Sequence, residues 1–360
     1  MSKSHEIVLI PGLVNIISNV KKINWLIFGE ELLDVIKPTR PLFKVKYYVV
    51  KGGINVPYGI KILGPWFVNK EEDLIYLKRS FPLTSFELVM RKIDSHSPSM
   101  LVNRAMSYLR FPTGWLLPPG LHLSSIISVK LMKEGYLPLH ASSVASEDGT
   151  GLVFLALADV GKTLTAISMV KRGYKFVSED MVVTDGRTVI SCPLTNTYGF
   201  YKDISRLGFL SLKDKLGVNF NRFIKLPVLS QYLGYQISVL KYLKFIAHLE
   251  SKEINNAILT KCKLGDVFLL QQSNKDSIIE ADRDQLINEI KYMNMNEFWW
   301  YRDPLILAYS YFKPTYDVGR LLVMHNELIS HFVDSAKRIF IVKSRHPRLF
   351  SVLIDKVMKV

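Results

Sequence analysis

The chain has 360 residues, 48% of them hydrophobic, and a formal net charge of +15. This length supports one large or two modest domains, and the hydrophobic content excludes an intrinsically disordered chain. Two cysteines, Cys192 and Cys262, are too few for a disulfide framework or a cysteine zinc site. The composition therefore favours a folded protein in a reducing compartment, and we expect a cytoplasmic location.

The positive charge is dispersed along the chain. Lys and Arg recur without a block of five or a dense basic face, which disfavours nucleic acid as the main partner. His5-Glu6 and Pro11-Gly12 interrupt the first twenty residues, so we expect no signal peptide. No run of about 18 uncharged apolar residues occurs, which predicts that no segment spans a membrane.

The first part of the chain has short β-like segments. Residues 45–50 (VKYYVV) before Gly52-Gly53 predict a strand and hairpin, and 60–68 and 73–78 predict further strands. Residues 112–119 (PTGWLLPP) mark a boundary because neighbouring prolines cannot continue a helix. We therefore predict a smaller α+β domain of unknown role over 1–115, followed by a larger core over 116–360.

A phosphate-binding loop is predicted where an apolar run gives way to a helical pattern. Residues 152–157 (LVFLAL) are typical of a strand buried on both faces, and 163–172 have apolar residues at helical spacing. A helix N-terminus between such elements offers unpaired N–H groups and partial positive charge to a phosphate. Within it, Lys162 would reach the β- and γ-phosphates and the Thr163 hydroxyl would bind Mg²⁺. The candidate nucleotide ligands are Asp159, Val160, Gly161, Lys162 and Thr163.

Two residues of the loop depart from the usual G-x-x-x-x-G-K-[ST] pattern. The segment 156–163 reads ALADVGKT, so Ala156 stands at the first glycine position. Alanine fits there if its φ is not positive. Asp159 places a carboxylate near the expected phosphates, where like charges repel each other. An ordinary strand–turn–helix connection is the alternative.

An acidic pair follows the next predicted strand. Glu179 and Asp180 come after 174–178 (YKFVS), and Asp185-Gly186 then predicts a two-residue hairpin. Acids at a strand end in an α/β fold lie where the ligand crevice forms. One could hold Mg²⁺ through water while the other takes a proton from an attacking hydroxyl. A simple acidic turn is the alternative.

The order of these motifs resembles the HPr kinase/phosphorylase-like family of P-loop kinases, which are related to phosphoenolpyruvate carboxykinase. The order is an H-A-S-S-V strand, an acidic glycine turn, an apolar strand, G-K-T, a helix, R-G-Y-K-F-V-S and the acidic pair. The similarity covers roughly residues 120–350 and is strongest over 135–186; 266–271 and 338–342 look like later strands of the family. It implies an α/β fold with a P-loop core of mixed strands and helices.

The resemblance also implies roles for individual residues. Lys162 and Thr163 match the nucleotide and Mg²⁺ ligands, Asp180 matches the second acid of the family's pair, and Glu179 stands in place of the first. Asp180 would share the metal with Thr163, and either acid could act as the base. His140 matches the histidine that faces the transferred phosphate; taken alone, it could equally be a core or turn histidine. No stretch resembles the glycine-rich signature that grips HPr, so that substrate is not implied.

The sequence thus predicts a kinase that uses ATP and Mg²⁺ to phosphorylate a hydroxyl of a small molecule or of a peptide or protein serine. A non-catalytic nucleotide-sensing module with a degenerate loop is one alternative, and a basic nucleic-acid-associated protein is another. The sequence leaves a homo-oligomer open.

Four other segments could also carry function. His325 and His331 are six residues apart and miss the one-turn spacing of a zinc-protease helix, so they predict an ordinary helix. The aromatic run 298–301 favours core packing over base stacking or a lid. Residues 226–244 favour a buried helix or strand pair over a membrane-surface or partner helix. Residues 202–221 correspond to a connection that carries substrate contacts in related kinases.

Overall fold

The computed structural model describes residues 4–194 and 259–358, apart from the single positions or short gaps 31, 33, 35, 39, 57, 83, 110, 111, 113–115 and 312. The described residues form two mixed sheets and seven α-helices, which confirms the predicted α/β class. The segments 202–221 and 226–244 lie outside the described residues.

The first sheet is built from residues 5–103 and has eight strands in the order β1-β2-β3-β8-β7-β6-β5-β4. The predicted strand at 45–50 is confirmed, but the predicted hairpin after it is wrong. The strand pairs in parallel with both neighbours, so the chain cannot return through a tight turn. A short helix, α1 (Arg104–Ser107), follows this sheet. The strands are β1 (His5–Ile10), β2 (Val14–Ser18), β3 (Phe43–Val50), β4 (Ile60–Leu63), β5 (Trp66–Asn69), β6 (Leu74–Phe81), β7 (Thr84–Arg91) and β8 (Ser99–Asn103).

The second sheet has nine strands, and its main path runs β12-β10-β11-β15-β14-β13-β9, with β17 also paired to β15 and β16 to β17. Its strands are β9 (Leu137–Leu139), β10 (Ala141–Ala145), β11 (Thr150–Leu155), β12 (Lys175–Ser178), β13 (Val182–Thr184), β14 (Thr188–Ser191), β15 (Lys261–Gln272), β16 (Ser277–Glu280) and β17 (Ile339–Ser344). The predicted hairpin at Asp185-Gly186 is confirmed, because β13 and β14 pair antiparallel across it.

Six further helices follow in the described part of the chain, together with two single turns of 3₁₀ helix at Pro314–Tyr316 and Pro347–Leu349. Local chemistry explains where several begin. Pro119 opens the second helix at a position where its missing N–H is harmless, and Asp282, Asp303 and Asp317 each cap a later helix through a side-chain oxygen. The helices are α2 (Pro119–Lys133), α3 (Lys162–Val170), α4 (Arg283–Glu297), α5 (Pro304–Ser310), α6 (Val318–Ser335) and α7 (Phe350–Met358).

The two sheets share one hydrophobic core. Its largest cluster combines apolar side chains of the first sheet with those of α2, α5 and the β13–β14 hairpin. Nearly all of α2 is buried, including His122, which lies 2.7 Å from Asp303 at the start of α5 and meets the ring of Trp66 edge-on. The predicted boundary near residue 115 therefore separates two sheets but crosses a common core.

Two smaller clusters complete the packing of the second sheet. One packs α4 and α6 against one face, and the other packs α3 and α7 against the opposite face. This packing fixes α3 on the sheet, so its first residues lie at the sheet edge. Among the described residues, no helix is both long and apolar enough to cross a membrane.

Candidate nucleotide-binding site

The predicted site residues meet at one edge of the second sheet. Strand β10 pairs antiparallel with both β11 and β12, so β11 and β12 run in the same direction and end at the same edge. The phosphate loop follows β11, the acidic pair follows β12, and His140 immediately precedes β10. The topology therefore brings together residues that are up to 40 positions apart, including His140 and Asp180.

The backbone of the loop 156–161 has positive φ at two positions, one occupied by Gly161 and the other by Asp159. Gly161 has φ of 127°, and a Cβ there would lie 2.7 Å from the Cβ of Pro347, so only glycine fits. Asp159 is in the left-handed region with φ of 63°, a conformation that costs a non-glycine residue free energy. Ala156 does not have positive φ, so the condition for alanine at the first position is met.

Lys162 lies inside the loop. Its Nζ donates hydrogen bonds to the carbonyls of Ala156 (2.9 Å) and Leu157 (3.2 Å), and its side chain is buried. Burial lowers the pKa of this lysine, while the negative charges of four nearby carboxylates act in the opposite direction. Helix α3, which starts at Lys162, begins without a side-chain cap, so its first N–H groups can receive an anion.

Thr163 contacts the first acid of the pair. Its Oγ1 donates a hydrogen bond of 2.5 Å to Oε1 of Glu179, and both side chains are buried. A threonine hydroxyl beside a carboxylate is a suitable pair of oxygen groups for Mg²⁺, which binds to one or two protein carboxylates together with substrate phosphates. The sequence predicted this metal role for Thr163 and Asp180, whereas the direct contact of Thr163 is with Glu179.

Asp180 instead contacts His140. The distance from His140 Nε2 to Asp180 Oδ1 is 3.0 Å, and the aspartate side chain is 30% exposed while the histidine is 6% exposed. Burial raises the pKa of Asp180, but the hydrogen bond with His140 and the charges of His140 and Lys162 outweigh it, so the pKa lies below its usual value. Asp180 is therefore ionised at neutral pH and open to a ligand.

Glu297 completes the site and was missed by sequence reasoning. It is the last residue of α4, and its Oε1 lies 3.3 Å from His140 Nδ1. The imidazole therefore lies between two carboxylates: Nε2 is hydrogen-bonded to Asp180, whereas Nδ1 is within ion-pair distance of Glu297 without a hydrogen bond. Glu297 is separated from His140 by more than 150 positions and follows no recognisable motif, so only the packing of α4 against the sheet reveals it.

The assembled site is strongly acidic. Four carboxylates, those of Asp159, Glu179, Asp180 and Glu297, influence the charge of Lys162. A free triphosphate would be repelled here unless a divalent cation accompanied it. Among the described residues, no group of three or more His, Cys, Asp or Glu side chains could hold a metal on its own. A metal at this site would consequently need oxygens of a bound ligand.

The other sequence candidates lie away from this chemistry. His325 lies on α6, is buried beside Asn294 at 3.2 Å, and has a pKa lowered to about 4, mainly by burial. Both His325 and His331 lie on this helix, so the predicted ordinary helix is confirmed, and His325 is part of the core. In the aromatic run, Phe298 and Trp300 are buried, which agrees with core packing.

Comparison with known proteins does not assign a family. No protein-family model matches the chain, and no curated protein matches it in sequence. The resemblance to P-loop kinases therefore remains a prediction from the order of the sequence motifs.

Proposed function

We propose that this protein binds a Mg²⁺–nucleoside triphosphate and transfers its γ-phosphate to a hydroxyl group. The observation that carries the proposal is the 2.5 Å contact between Thr163 of the phosphate loop and Glu179 of the acidic pair. It joins a helix N-terminus suited to phosphate with a carboxylate suited to Mg²⁺. The His140–Asp180 pair lies next to them.

Each side chain then has a distinct role. Lys162 and the backbone of 159–163 hold the β- and γ-phosphates, and Thr163 and Glu179 hold Mg²⁺ directly or through water. Asp180, ionised and partly exposed, accepts the proton of the acceptor hydroxyl, and His140 orients the γ-phosphate. In the alternative distribution predicted from sequence, Asp180 shares the metal and Glu179 is the base. Phosphoryl transfer depends mostly on positioning and charge neutralisation, which this set supplies.

A nucleotide-sensing module is the second candidate. Asp159 adds a negative charge to the loop, and Lys162 donates to the loop's own carbonyls instead of pointing outward. Both features weaken phosphate binding. A protein with such a loop could bind nucleotide without turning it over.

Isothermal titration with ATP and Mg²⁺ tests nucleotide binding, which both candidate functions require. We expect wild type to bind and Lys162→Ala to lose at least tenfold in affinity, since a charge-assisted contact to phosphate contributes about 1.5–3 kcal/mol. Absence of lysine-dependent binding would overturn both. Phosphate transfer from labelled ATP across a panel of hydroxyl compounds and serine peptides then separates them, because only a kinase gives product.

A further inference from the structure

A basic turn, residues 345–348 (RHPR), lies on the side of the phosphate loop opposite the acidic pair. Strands β11, β15 and β17 are parallel neighbours, so their carboxyl ends open at the same edge of the sheet. Neighbouring strands are about 4.8 Å apart, so β17 lies about 10 Å from β11 across the sheet on one side. The end of β12, with its acidic pair, lies two strands away on the other side.

The turn after β17 touches the loop directly. The 3₁₀ turn Pro347–Leu349 packs against the start of α3, and Pro347 occupies the space that a Cβ on Gly161 would need. The loop thus contacts both flanks: Thr163 meets the acidic pair and Gly161 meets this turn. A ligand lying across the loop would reach from one flank to the other.

The two flanks carry opposite charge. Arg345 and His346 are exposed in the turn, and Lys275 is exposed in the neighbouring β15–β16 connection. The Arg345 guanidinium makes one long hydrogen bond of 3.4 Å, to the carbonyl of Asn274. Asp276, the acid beside them, already accepts from Ser344 Oγ at 2.7 Å and from the Arg345 N–H at 3.4 Å. The guanidinium can therefore bind an incoming anion at little cost.

We infer that the turn 345–348 binds the α-phosphate of the nucleotide, through Arg345 and with His346 beside it. This inference rests on the proposed function and adds the orientation of the nucleotide. The γ-phosphate lies toward Glu179 and Asp180, where metal and base are, and the phosphate chain crosses Gly161 toward the basic turn. The nucleoside then leaves the site over the carboxyl ends of β15 and β17, the usual crevice of an open α/β sheet.

Isothermal titration of the full chain with Mg²⁺–ATP and with Mg²⁺–pyrophosphate tests this orientation. Pyrophosphate can fill the β- and γ-positions at Lys162 without reaching the turn. For Arg345→Gln we expect about tenfold weaker ATP binding and less than threefold weaker pyrophosphate binding, as loss of one charge-assisted contact predicts. Arg320→Gln, an exposed arginine at the start of α6, is the matched control and should bind both as wild type does.

The other outcomes are distinguishable. Unchanged ATP binding in Arg345→Gln, with Lys162→Ala still deficient, would overturn the orientation and leave the proposed function standing. Equal weakening for ATP and pyrophosphate would also overturn it, because the arginine would then act through long-range charge alone. If neither ligand binds wild type, the proposed function fails and the orientation fails with it. A thermal unfolding curve like that of wild type shows that Arg345→Gln is folded.

Discussion

Two histidine–carboxylate pairs among the described residues have the same chemistry and different surroundings. His122 and Asp303 lie 2.7 Å apart at the centre of the shared core, and both are fully buried. His140 and Asp180 lie 3.0 Å apart at the sheet edge, where the aspartate is partly exposed and Lys162 and Glu297 are close. The first pair can only support the fold, whereas the second can meet a ligand.

The comparison shows why a residue pair does not define a function by itself. At the core pair, His122 Nε2 and Asp303 Oδ2 have no hydrogen-bond partner among the described residues, and the ring of Trp66 packs edge-on against His122. At the edge pair, His140 Nδ1 also lacks a hydrogen-bond partner, but the charged side chains of Glu297 and Lys162 are close. Exposure and charge, more than the pair itself, separate the structural histidine from the candidate catalytic one.

The largest effect is expected at the edge pair. Asp180→Asn keeps the shape of the side chain but removes the proposed base, so turnover should fall about 10³-fold. The free energy of unfolding should change by less than about 1 kcal/mol. Steady-state phosphate transfer and urea unfolding check this, with Asp284→Asn in the first turn of α4 as control. Retained turnover in Asp180→Asn would remove the aspartate from the mechanism.

At the core pair, we expect a substitution to lower the stability of the fold and to leave ATP binding unchanged. Asp303→Ala leaves His122 buried without its partner and removes the cap of α5, where Asp303 accepts from the Leu305 N–H at 2.9 Å. The free energy of unfolding should fall by about 3 kcal/mol, while the folded fraction should bind ATP normally. Urea unfolding and titration at low temperature measure both. A loss below about 1 kcal/mol would show that the pair contributes little to stability.

A third histidine extends the comparison to pH. Burial lowers the pKa of His325 to about 4, below its unfolded value of about 6.5, so the folded state excludes a proton that the unfolded state binds. Its stabilising contribution is complete above pH 6.5 and is lost as pH falls toward 4. Between pH 7.5 and pH 5 this amounts to about 2 kcal/mol.

Urea unfolding across this pH range provides the measurement. His325→Gln should reduce the drop in stability on acidification, even if it is less stable at pH 7.5. His331→Gln, on the same helix, should keep the wild-type drop. An equal drop in wild type and His325→Gln would mean that other groups cause it.

Glu297 should affect turnover less than Asp180 does. We expect Glu297→Gln to lower the rate of phosphate transfer about tenfold with the KM for ATP within twofold, because the variant removes the negative charge beside the His140 ring without removing a phosphate ligand. Glu289→Gln removes the same charge two turns earlier on α4 and should behave as wild type. A raised KM for ATP with an unchanged rate would instead show that Glu297 contributes to ATP binding.

The smallest expected effect is an increase in ATP affinity. Asp159→Gly removes both a carboxylate beside the phosphates and a side chain from a left-handed backbone position, so ATP affinity should rise about threefold. Ala158→Gly, next to it, removes a Cβ without charge or positive φ and should give no gain. Titration compares the three proteins. Weaker binding by Asp159→Gly would indicate that Asp159 itself contacts the ligand or its metal.

The parts of the fold that were predictable are local ones. An apolar run, a glycine with Lys162 after it and a helical pattern specified β11, the loop and α3, and Asp185-Gly186 specified the β13–β14 hairpin. Each depends on neighbours within a few residues. The parallel pairing of β3 was not predictable in this way, because its partners Val14–Ser18 and Ser99–Asn103 are far along the chain.

The same limit applies to the site. The motif order was enough to nominate Lys162, Thr163, Glu179 and Asp180, and the sheet brings them to one edge. It could not show that Thr163 meets Glu179 while Asp180 meets His140, because that choice depends on how β10 and β12 pair. Glu297 and the turn at Pro347 arrive from distant helices and strands, and no local pattern signals them.

The shared core determines how far from the site ligand binding should slow amide hydrogen exchange. Since α2 and the β13–β14 hairpin pack into the same cluster as the first sheet, the two sheets should melt in a single cooperative transition. Ligand binding at the sheet edge stabilises the whole cooperative unit by mass action. Amide hydrogens in β3 and β8, far along the chain from Lys162, should therefore exchange more slowly when nucleotide is bound.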